Sequence, residues 1–565
     1  MKASVVVFLT TRITARPSRA ADADHLPAFR FPASKAAASS IERYSENVWA
    51  RLSGIRRSRS TALTGAPVRR RTASGPVEPA EPERSVARGS PSGYGRRGRA
   101  RRERVPADRR PEEAEVSSRR APLVAGIVVL AVALVLAVEP VLAGSVGRIV
   151  QITNDTNGDN EVDIATSPLD PRAVIAGWNE YEADDGCGYG WSADGGRTWG
   201  MGILRGAPRP DGGTYGLAAD PGVAFDSQGR AYFSCLYYDG SGTGWGGSVY
   251  VYRSTDGGRT YPERYLAAGS VKLSRSHDHP FITIDQASDT VYVAYSIFNG
   301  FGIRSRSYLV RADADDMAAG FSVPVNVSNV TKNEIFDLTA VAGPPVAGGS
   351  GRTVYAVFGI WTTGSTWNED TIAVSRSTDG GRSFAPTTVV DRVTPMPKYL
   401  PGQGWRTGYQ PIGAVDPADG NHLWVAYGDY ADGDDDLYVR ESRDGGRTWS
   451  ARRPVGETRA GTSQLYQWLT VSPDGSRLDL VYYDLGYDPA GYLVDVSYAA
   501  SWDGGRTWTR TRVTPSGFDA NRFPPGAVPF IGDYIQVESF ARSARLAWTA
   551  NGTRSTEIFT TTVRP

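Results

Sequence analysis

The chain has 565 residues and a formal net charge of +1, which conceals two oppositely charged parts. Residues 1–121 carry 26 Lys and Arg against 12 Asp and Glu, whereas the remainder carries 36 against 49. An acidic body argues against nucleic acid as a partner of the folded part. The two cysteines are too few for a zinc site.

The N-terminal part predicts two segments that lie outside the main fold. Residues 1–121 are rich in Arg, Ala, Ser, Pro and Gly, so they bury too little apolar surface to repay ordering, and we predict a disordered basic tail. Residues 122–143 are predominantly apolar and predict one hydrophobic helix, either a transmembrane anchor or a cleaved signal. The excess of Arg before it predicts that residues 148–565 lie outside the cytoplasm, membrane-anchored or secreted.

An octapeptide recurs five times in residues 148–565. Each copy reads Ser-x-Asp-Gly-Gly-Arg-Thr/Ser-aromatic, and the copies begin at Ser192, Ser254, Ser377, Ser442 and Ser501. The glycines allow the positive φ angles of a tight hairpin turn, and the Asp carboxylate can accept the backbone N–H groups of that turn. The gaps are 62, 123, 65 and 59 residues, so the long gap indicates a decayed copy near residue 313. This period predicts a β-propeller.

These octapeptides, called boxes below, resemble the Asp-box (BNR) repeat of the sialidase-like propeller superfamily. The resemblance covers residues 149–565. It implies an all-β propeller of four-stranded blades whose hairpins carry the boxes. The same repeat also occurs in propellers that are not sialidases, so it implies the fold more strongly than the activity.

Short apolar strands recur in sets of four along this region. Residues 280–285, 291–295, 308–311 and 321–325 form one such set. Residues 149–152 form an orphan strand before the first set, and the last set lacks a fourth strand. Pairing the two closes the ring and protects its edges, which gives seven blades, with six as the alternative.

A polar residue stands at the start of each predicted inner strand. Since inner strands surround the central channel, we expect these residues to form a ring at one mouth: Glu161, Asp220, His279, Asp337, Gln410, Gln467 and Asp533. The ring either caps strand ends and binds channel water or lines a pocket for a substrate or cation.

The resemblance also implies which parts a sialidase would need. Three Arg would hold the substrate carboxylate, and Arg275, Arg406 and Arg522 each precede an inner strand. Asp278 is the candidate acid/base. Tyr534 or Tyr409 is the candidate nucleophile, with Glu334 as its partner. No motif match fixes these roles, because the Phe-Arg-Ile-Pro motif of sialidases is missing from the first blade.

Two further features are local. Asp155, Asn157 and Asp159 alternate like the ligands of an EF-type calcium loop, although Thr166 replaces the final Glu. We expect no required cofactor, with calcium or a plain polar turn as the alternatives for this loop. Cys187 and Cys235 lie in neighbouring repeats and are expected to form a disulfide if the body is exported.

Two functions follow from these features. The first is an exo-glycosidase of sialidase type acting on glycans at the channel mouth. The second is a non-catalytic propeller that binds a glycan or protein through aromatic residues such as Trp367, Trp405 and Trp468. Both predict a monomer with a glycan or glycoprotein ligand, contact with a membrane only through residues 122–143, and no nucleic acid.

Overall fold

The computed structural model describes residues 144–565 except 155, 182–184, 240–245, 271–274, 300–303, 329–333, 362–368, 409, 457–459 and 523–528. The predicted basic tail and the hydrophobic helix at 122–143 lie outside the described residues. Among the described residues, no helix is both long enough and apolar enough to span a bilayer.

The described chain forms seven antiparallel sheets, which are the blades of a propeller. The strands are numbered in chain order. Blades 1 to 3 contain β3 (Asp159–Thr166), β4 (Val174–Glu180), β5 (Gly186–Ser192) and β6 (Gly200–Arg205); β7 (Leu217–Phe225), β8 (Ala231–Tyr238), β9 (Gly247–Ser254) and β10 (Glu263–Ser270); and β11 (Arg275–Asp285), β12 (Thr290–Asn299), β13 (Arg304–Asp313) and β14 (Val325–Asn326).

The remaining blades repeat this order and end with the closing sheet. Blades 4 to 6 contain β15 (Glu334–Gly343), β16 (Thr353–Trp361), β17 (Thr371–Ser377) and β18 (Thr388–Arg392); β19 (Ile412–Val415), β20 (Leu423–Asp429), β21 (Asp436–Ser442) and β22 (Arg453–Pro454); and β23 (Gln464–Val471), β24 (Leu478–Asp484), β25 (Asp495–Ser501) and β26 (Thr509–Arg512). Blade 7 contains β27 (Gln536–Ser539), β28 (Ala544–Asn551), β29 (Thr556–Arg564), β1 (Ser145–Val146) and β2 (Val150–Gln151).

The first and last parts of the ring meet in blade 7. Ser145 pairs with Arg564, and Val150 pairs with Thr560, so both N-terminal strands add to the outer side of β29. The first strand of each blade contacts the first strand of the next blade, and β27 contacts β3. The prediction of seven blades closed by the N-terminal strand is confirmed, and the six-blade alternative is wrong.

The boxes form the hairpins between the third and fourth strands of five blades. In blade 5, Ser442 Oγ donates to Asp444 Oδ1 at 2.9 Å and accepts the Gly446 N–H at 2.9 Å. Asp444 Oδ1 also accepts the N–H groups of Arg447 and Thr448 at 3.0 and 2.9 Å. The Thr448 hydroxyl also donates to Asp444 Oδ2 at 2.6 Å, and although burial raises the pKa of Asp444, these hydrogen bonds outweigh it and hold the pKa below its ordinary value, at about 2. The box is thus a self-contained turn, which explains why its residues recur.

Blade 3 has a different turn at the place of the decayed copy. A short 3₁₀ helix, Ala314–Ala319, connects β13 to β14 there. Asp313 caps it by accepting the Asp315 N–H at 2.9 Å. The blade therefore keeps its four strands without a box.

The core lies between neighbouring blades, where the middle strands present apolar residues to both faces. All eight residues of β8 are buried, and Trp178, Trp405 and Trp548 are among the largest buried side chains. Cys187 on β5 and Cys235 on β8 form a disulfide with a Cα–Cα distance of 6.3 Å, which links blades 1 and 2.

Candidate functional site

A β-bulge interrupts the inner strand of blades 1, 2, 3, 4 and 6. At each bulge, two inner-strand residues face one residue of the second strand; in blade 2, for example, Ala219 and Gly222 pair normally and the two residues between them bulge. In four blades the first bulge residue has a positive φ of 50° to 58°: Glu161, Asp220, His279 and Tyr466. Such a conformation costs a non-glycine residue about 1–3 kcal/mol, and bulges commonly redirect side chains at functional sites.

Proline explains part of this local geometry. Pro221 and Pro280 occupy the second bulge position in blades 2 and 3, where the residue has no regular ladder partner. Because proline lacks an N–H, a bulge is one of the few places in a sheet that tolerates it. The pairs Asp220-Pro221 and His279-Pro280 therefore fix the bulges in sequence.

Three carboxyl groups lie together at these bulges: Glu161 and Asp220 occupy bulge positions, and Asp278 directly precedes the bulge of β11. The carboxyl groups of Glu161 and Asp278 each lie close enough to Asp220 for the charges to interact. Asn179 Nδ2 donates to Glu161 Oε2 at 2.7 Å, and the His279 N–H donates to Asp220 Oδ2 at 3.0 Å. The three acidic side chains and their donors therefore form one buried group.

The environment favours the protonated forms of Glu161 and Asp278. Burial, followed by the charge of Asp220, raises the pKa of Glu161 well above its ordinary value. The same two causes, in the same order, raise the pKa of Asp278. Glu161 and Asp220 are 1% exposed, whereas Asp278 is 7% exposed. A buried carboxyl group that keeps its proton near neutral pH has the property of a general acid.

A second group joins an arginine to a fourth carboxylate. Arg406 Nε donates to Asp533 Oδ1 at 3.2 Å, and its Nη2 donates to Asp533 Oδ2 at 2.5 Å. Tyr466 OH donates to the same Asp533 Oδ1 at 3.2 Å. The guanidinium carbon lies 4.2 Å from the centroid of the Phe530 ring. Arg406 Nη2 is also 3.9 Å from Glu161 Oε1, so the two groups form one site.

The four acids Glu161, Asp220, Asp278 and Asp533 are called the carboxyl cluster below. Next to this cluster, His279 Nε2 lies 3.3 Å from Gln410 Nε2, and the ring of Tyr534 packs edge-on against His279. A cavity of about 10 Å³ lies here, close to the space that one water molecule needs. It is lined by Asp163, Pro221, His279, Pro280, Phe281, Gln410, Trp468, Tyr534 and Gln536.

The predicted ring residues occupy different places around this site. Glu161, Asp220 and Asp533 belong to the carboxyl cluster, and His279 and Gln410 line the cavity. Gln467 donates to the Gln410 carbonyl at 2.7 Å, so it bridges two inner segments. The backbone of Asp337 lies in the bulge of β15, and its side chain is outside the described part.

The residues predicted for sialidase chemistry are only partly brought together. Asp278 and Arg406 both lie in the site. Arg275 and Arg522 are exposed. Tyr534 OH donates to the Pro221 carbonyl at 3.2 Å, and burial raises the pKa of Tyr534 well above its ordinary value. Tyr409 and the side chain of Glu334 lie outside the described residues.

Sequence reasoning missed Tyr466, Asn179 and Phe530. Tyr466 occupies the bulge position that corresponds to Asp220 and His279, one residue before the predicted Gln467. The sequence signal for Tyr466 is therefore its position directly before a predicted ring residue. Asn179 lies on a second strand and Phe530 before β27, where alternation of apolar and polar residues gives no indication of a role.

The predicted calcium loop stays a prediction. Asp155 lies outside the described residues, Asn157 is exposed, and Asp159 is fully buried at the start of β3. Among the described residues, no three or more His, Cys, Asp or Glu side chains are arranged to hold a metal ion.

Comparison with known proteins yields structural matches alone. No protein-family model matches the sequence, and no curated protein matches it. A protein of unknown function from Dyadobacter fermentans is 13% identical, covering 75% of this chain and 100% of its own, with a TM-score of 0.41. An α-L-arabinofuranosidase from Fusarium graminearum is 13% identical, covering 63% and 98%, with a TM-score of 0.40. The NanB sialidase from Streptococcus pneumoniae is 8% identical, covering 74% and 70%, with a TM-score of 0.36. At these values, none of the matches bears on the reaction or ligand of this chain.

Proposed function

We propose that the chain is a carbohydrate-active propeller, a glycoside hydrolase that works at the channel mouth. The observation that carries this proposal is the group of three buried acidic side chains, Glu161, Asp220 and Asp278, in which burial and the charge of Asp220 raise the pKa of the other two. Hydrolysis of a glycosidic bond requires one acid that keeps its proton and one carboxylate that has lost it. Neighbouring carboxyl groups in different environments supply that difference.

The proposal assigns a role to each member of the pair. Asp278 is the general acid that donates its proton to the leaving oxygen, since it is the most exposed of the three, at 7%. Asp220, which lies beside Asp278 and is held by the His279 N–H at 3.0 Å, is the carboxylate that takes a proton from the water that attacks the sugar. Glu161 and Asn179 position Asp220 from behind. Arg406 and Asp533, each 8% exposed, border the site and would orient sugar hydroxyl groups.

A sialidase-type exo-glycosidase is the more specific form of this proposal. It calls for three Arg and a Tyr activated by an acid. Arg406 supports it, as does the hydrogen bond of 3.2 Å between Tyr466 and Asp533. Burial, together with the Asp533 charge, raises the pKa of Tyr466, which opposes its use as a nucleophile. A sialoside therefore belongs in the test as one substrate among several.

The purified full-length chain should be assayed against fluorogenic glycosides, including a sialoside, hexosides and pentosides. We expect hydrolysis of at least one, and Asp278→Asn should lower kcat by about 10²- to 10⁴-fold, the usual contribution of a general acid. Asp170→Asn, which alters an exposed carboxylate paired with Arg172, is the matched control and should leave the rate unchanged. Equal rates for Asp278→Asn and the wild type would refute the assigned role.

A non-catalytic binding propeller is the second candidate. The burial of the carboxyl cluster and the small cavity favour it, because a substrate needs room that this site does not offer as it stands. Trp405 and Trp468 are buried, at 0% and 6% exposed, so they are not free to stack on a sugar. This candidate predicts no hydrolysis of any glycoside, together with saturable binding of a glycan or protein in calorimetry.

We also propose that the propeller functions outside the cytoplasm, anchored or secreted. The disulfide between Cys187 and Cys235 supports this, because such bonds persist in oxidising compartments. Thiol labelling of the chain from its native cells tests it: two reactive thiols after denaturation without a reductant would contradict the proposal. Membrane fractionation separates the anchored form from the secreted form.

A further inference from the structure

A loop between β18 and β19 carries Arg406 into the site. It comprises residues 398–407 and is called the Arg406 loop below. Its two ends are joined, because the Thr407 N–H donates to the Lys398 carbonyl at 2.8 Å. The loop therefore has a closed base beside Arg406 and a tip that extends away from blade 5.

Two side-chain amides hold the tip of the Arg406 loop. Gln403 Nε2 donates to the Tyr492 carbonyl at 3.0 Å. Gln403 Oε1 accepts hydrogen bonds from Trp405 Nε1 and Asn521 Nδ2, each at 2.8 Å. Asn521 Oδ1 in turn accepts the Gly404 N–H. Both amides use their oxygen and their nitrogen in this arrangement, and Gln403 and Asn521 are called the amide latch below.

The amide latch joins the two segments that supply the arginine and its carboxylate partner. Gln403 lies three residues before Arg406, and Asn521 lies on the segment before β27 that also contains Asp533. Gln403 is 8% exposed, so its hydrogen bonds are shielded from water. Breaking them would leave buried polar atoms without a partner, which costs free energy. The amide latch therefore fixes where the tip of the Arg406 loop lies relative to Asp533.

We infer that Gln403 and Asn521 are positioning residues, which hold Arg406 in the orientation that binds sugar hydroxyl groups. The inference rests on the proposed function, in which Arg406 has this role. A guanidinium group presents its donors in one rigid plane, so a small movement of the loop misaligns all of them together. Misplacement by about 1 Å can lower the rate of an enzyme by about 100-fold even when its cause lies far from the reacting atoms.

Asn521→Ala tests the inference, because it removes one amide of the latch and keeps Arg406. On a glycoside that the full-length wild type hydrolyses, we expect kcat/KM to fall by about tenfold or more, mainly through a higher KM, since Arg406 serves binding and not proton transfer. Asn421→Ala is the matched control. Asn421 lies beside the box of blade 5, accepts a hydrogen bond of 2.6 Å from Arg376 Nη2, and should leave kcat/KM unchanged when replaced.

A double-mutant cycle separates positioning from a general effect on the fold. Arg406→Lys keeps the positive charge and loses the planar fork of donors. If Asn521 acts through Arg406, Asn521→Ala should change kcat/KM by less than about twofold when Arg406→Lys is already present. A merely structural role for Asn521 would give the same loss in both backgrounds.

A second variant disturbs the amide latch from the other side. A Cβ atom at Gly404 would lie 3.1 Å from Asn521 Oδ1, which is closer than ordinary contact. Gly404→Ala should therefore displace the tip of the Arg406 loop and raise KM in the same direction as Asn521→Ala. If Asn521→Ala does not fold, Gly404→Ala decides the inference through the same cycle with Arg406→Lys.

The outcomes separate the inference from the proposed function. A rise in KM that disappears in the Arg406→Lys background supports the inference. An unchanged KM, or a rise that persists in that background, overturns it and leaves the glycoside hydrolase standing. Hydrolysis of none of the glycosides by the wild type overturns the proposed function and, with it, this inference.

Discussion

The ion pair between Arg406 and Asp533 gives the sharpest prediction about the fold. Replacing Arg406 with Met keeps the apolar part of the side chain on Phe530 but removes the guanidinium group that pairs with the buried Asp533. Removing one partner of a buried pair costs about 3–5 kcal/mol, because the other charge stays buried without compensation. We expect Arg406→Met to lower the free energy of unfolding by about this amount at pH 7.

Urea unfolding followed by tryptophan fluorescence measures this change. The double variant Arg406→Met/Asp533→Leu should recover most of the lost stability, since neither charge is then buried. The exposed pair of Arg172 and Asp170, with side chains 73% and 43% exposed, supplies the matched control. Arg172→Met should have no measurable effect, because exposed pairs contribute little. A loss below about 1 kcal/mol for Arg406→Met would refute the electrostatic account of the site.

Three further predictions concern stability. Cys187→Ser should lower the free energy of unfolding by about 4 kcal/mol, the chain-entropy estimate for a sequence separation of 48 residues. Reducing the disulfide of the wild type should lower the thermal unfolding temperature to that of the variant. Asp444→Ala removes the contacts of its turn and should lower the free energy of unfolding by about 1–2 kcal/mol. Asp313→Ala, in the blade without a box, should lower it by less. A larger loss for Asp313→Ala would contradict the role given to the boxes. The pKa of Glu161 is raised above its ordinary value of 4.5, so Glu161 loses its proton at lower pH in the unfolded chain than in the folded one, and the free energy of unfolding should fall as pH rises above 4.5. Urea unfolding of Glu161→Gln at several pH values should show a smaller fall. An equal dependence of the free energy of unfolding on pH in variant and wild type would contradict this.

The fold could be predicted from sequence because its signals are local. Each box contains the whole set of donors and acceptors for its turn, as Ser442 and Asp444 illustrate, so the octapeptide identifies a hairpin without its surroundings. The sequence also indicates how the ring closes. The strand predicted at residues 149–152 belongs to no set of four, and the last set is one strand short, so the two complete each other. The decayed copy near 313 was placed correctly by period, although its 3₁₀ helix was not foreseen.

The site was predictable only to within one residue. Glu161, Asp220 and His279 stand out in the sequence because each is a polar residue before an apolar run, and all three occupy bulges of inner strands; their role at the channel mouth stays a prediction. The sequence predicts Gln467 at this position, whereas the structure has Tyr466 there. A bulge inserts one residue into the strand, and the alternation of apolar and polar residues does not show where that insertion occurs. The three arginines show a different limit. Arg406 reaches the site through a loop contact with Asp533 that is 127 residues away in sequence, and such pairing has no local signal.

The central claim is that Asp278 donates a proton to a glycoside at the channel mouth. The pH dependence of kcat/KM, measured for the wild type and Asp278→Asn on a hydrolysed substrate, tests it most directly. Because the pKa of Asp278 is raised, its acid form persists in the free enzyme, and activity should fall only as rising pH removes that proton. The account predicts that Asp278→Asn loses both the rate and this alkaline limb. A variant that keeps the wild-type rate and pH profile would contradict it.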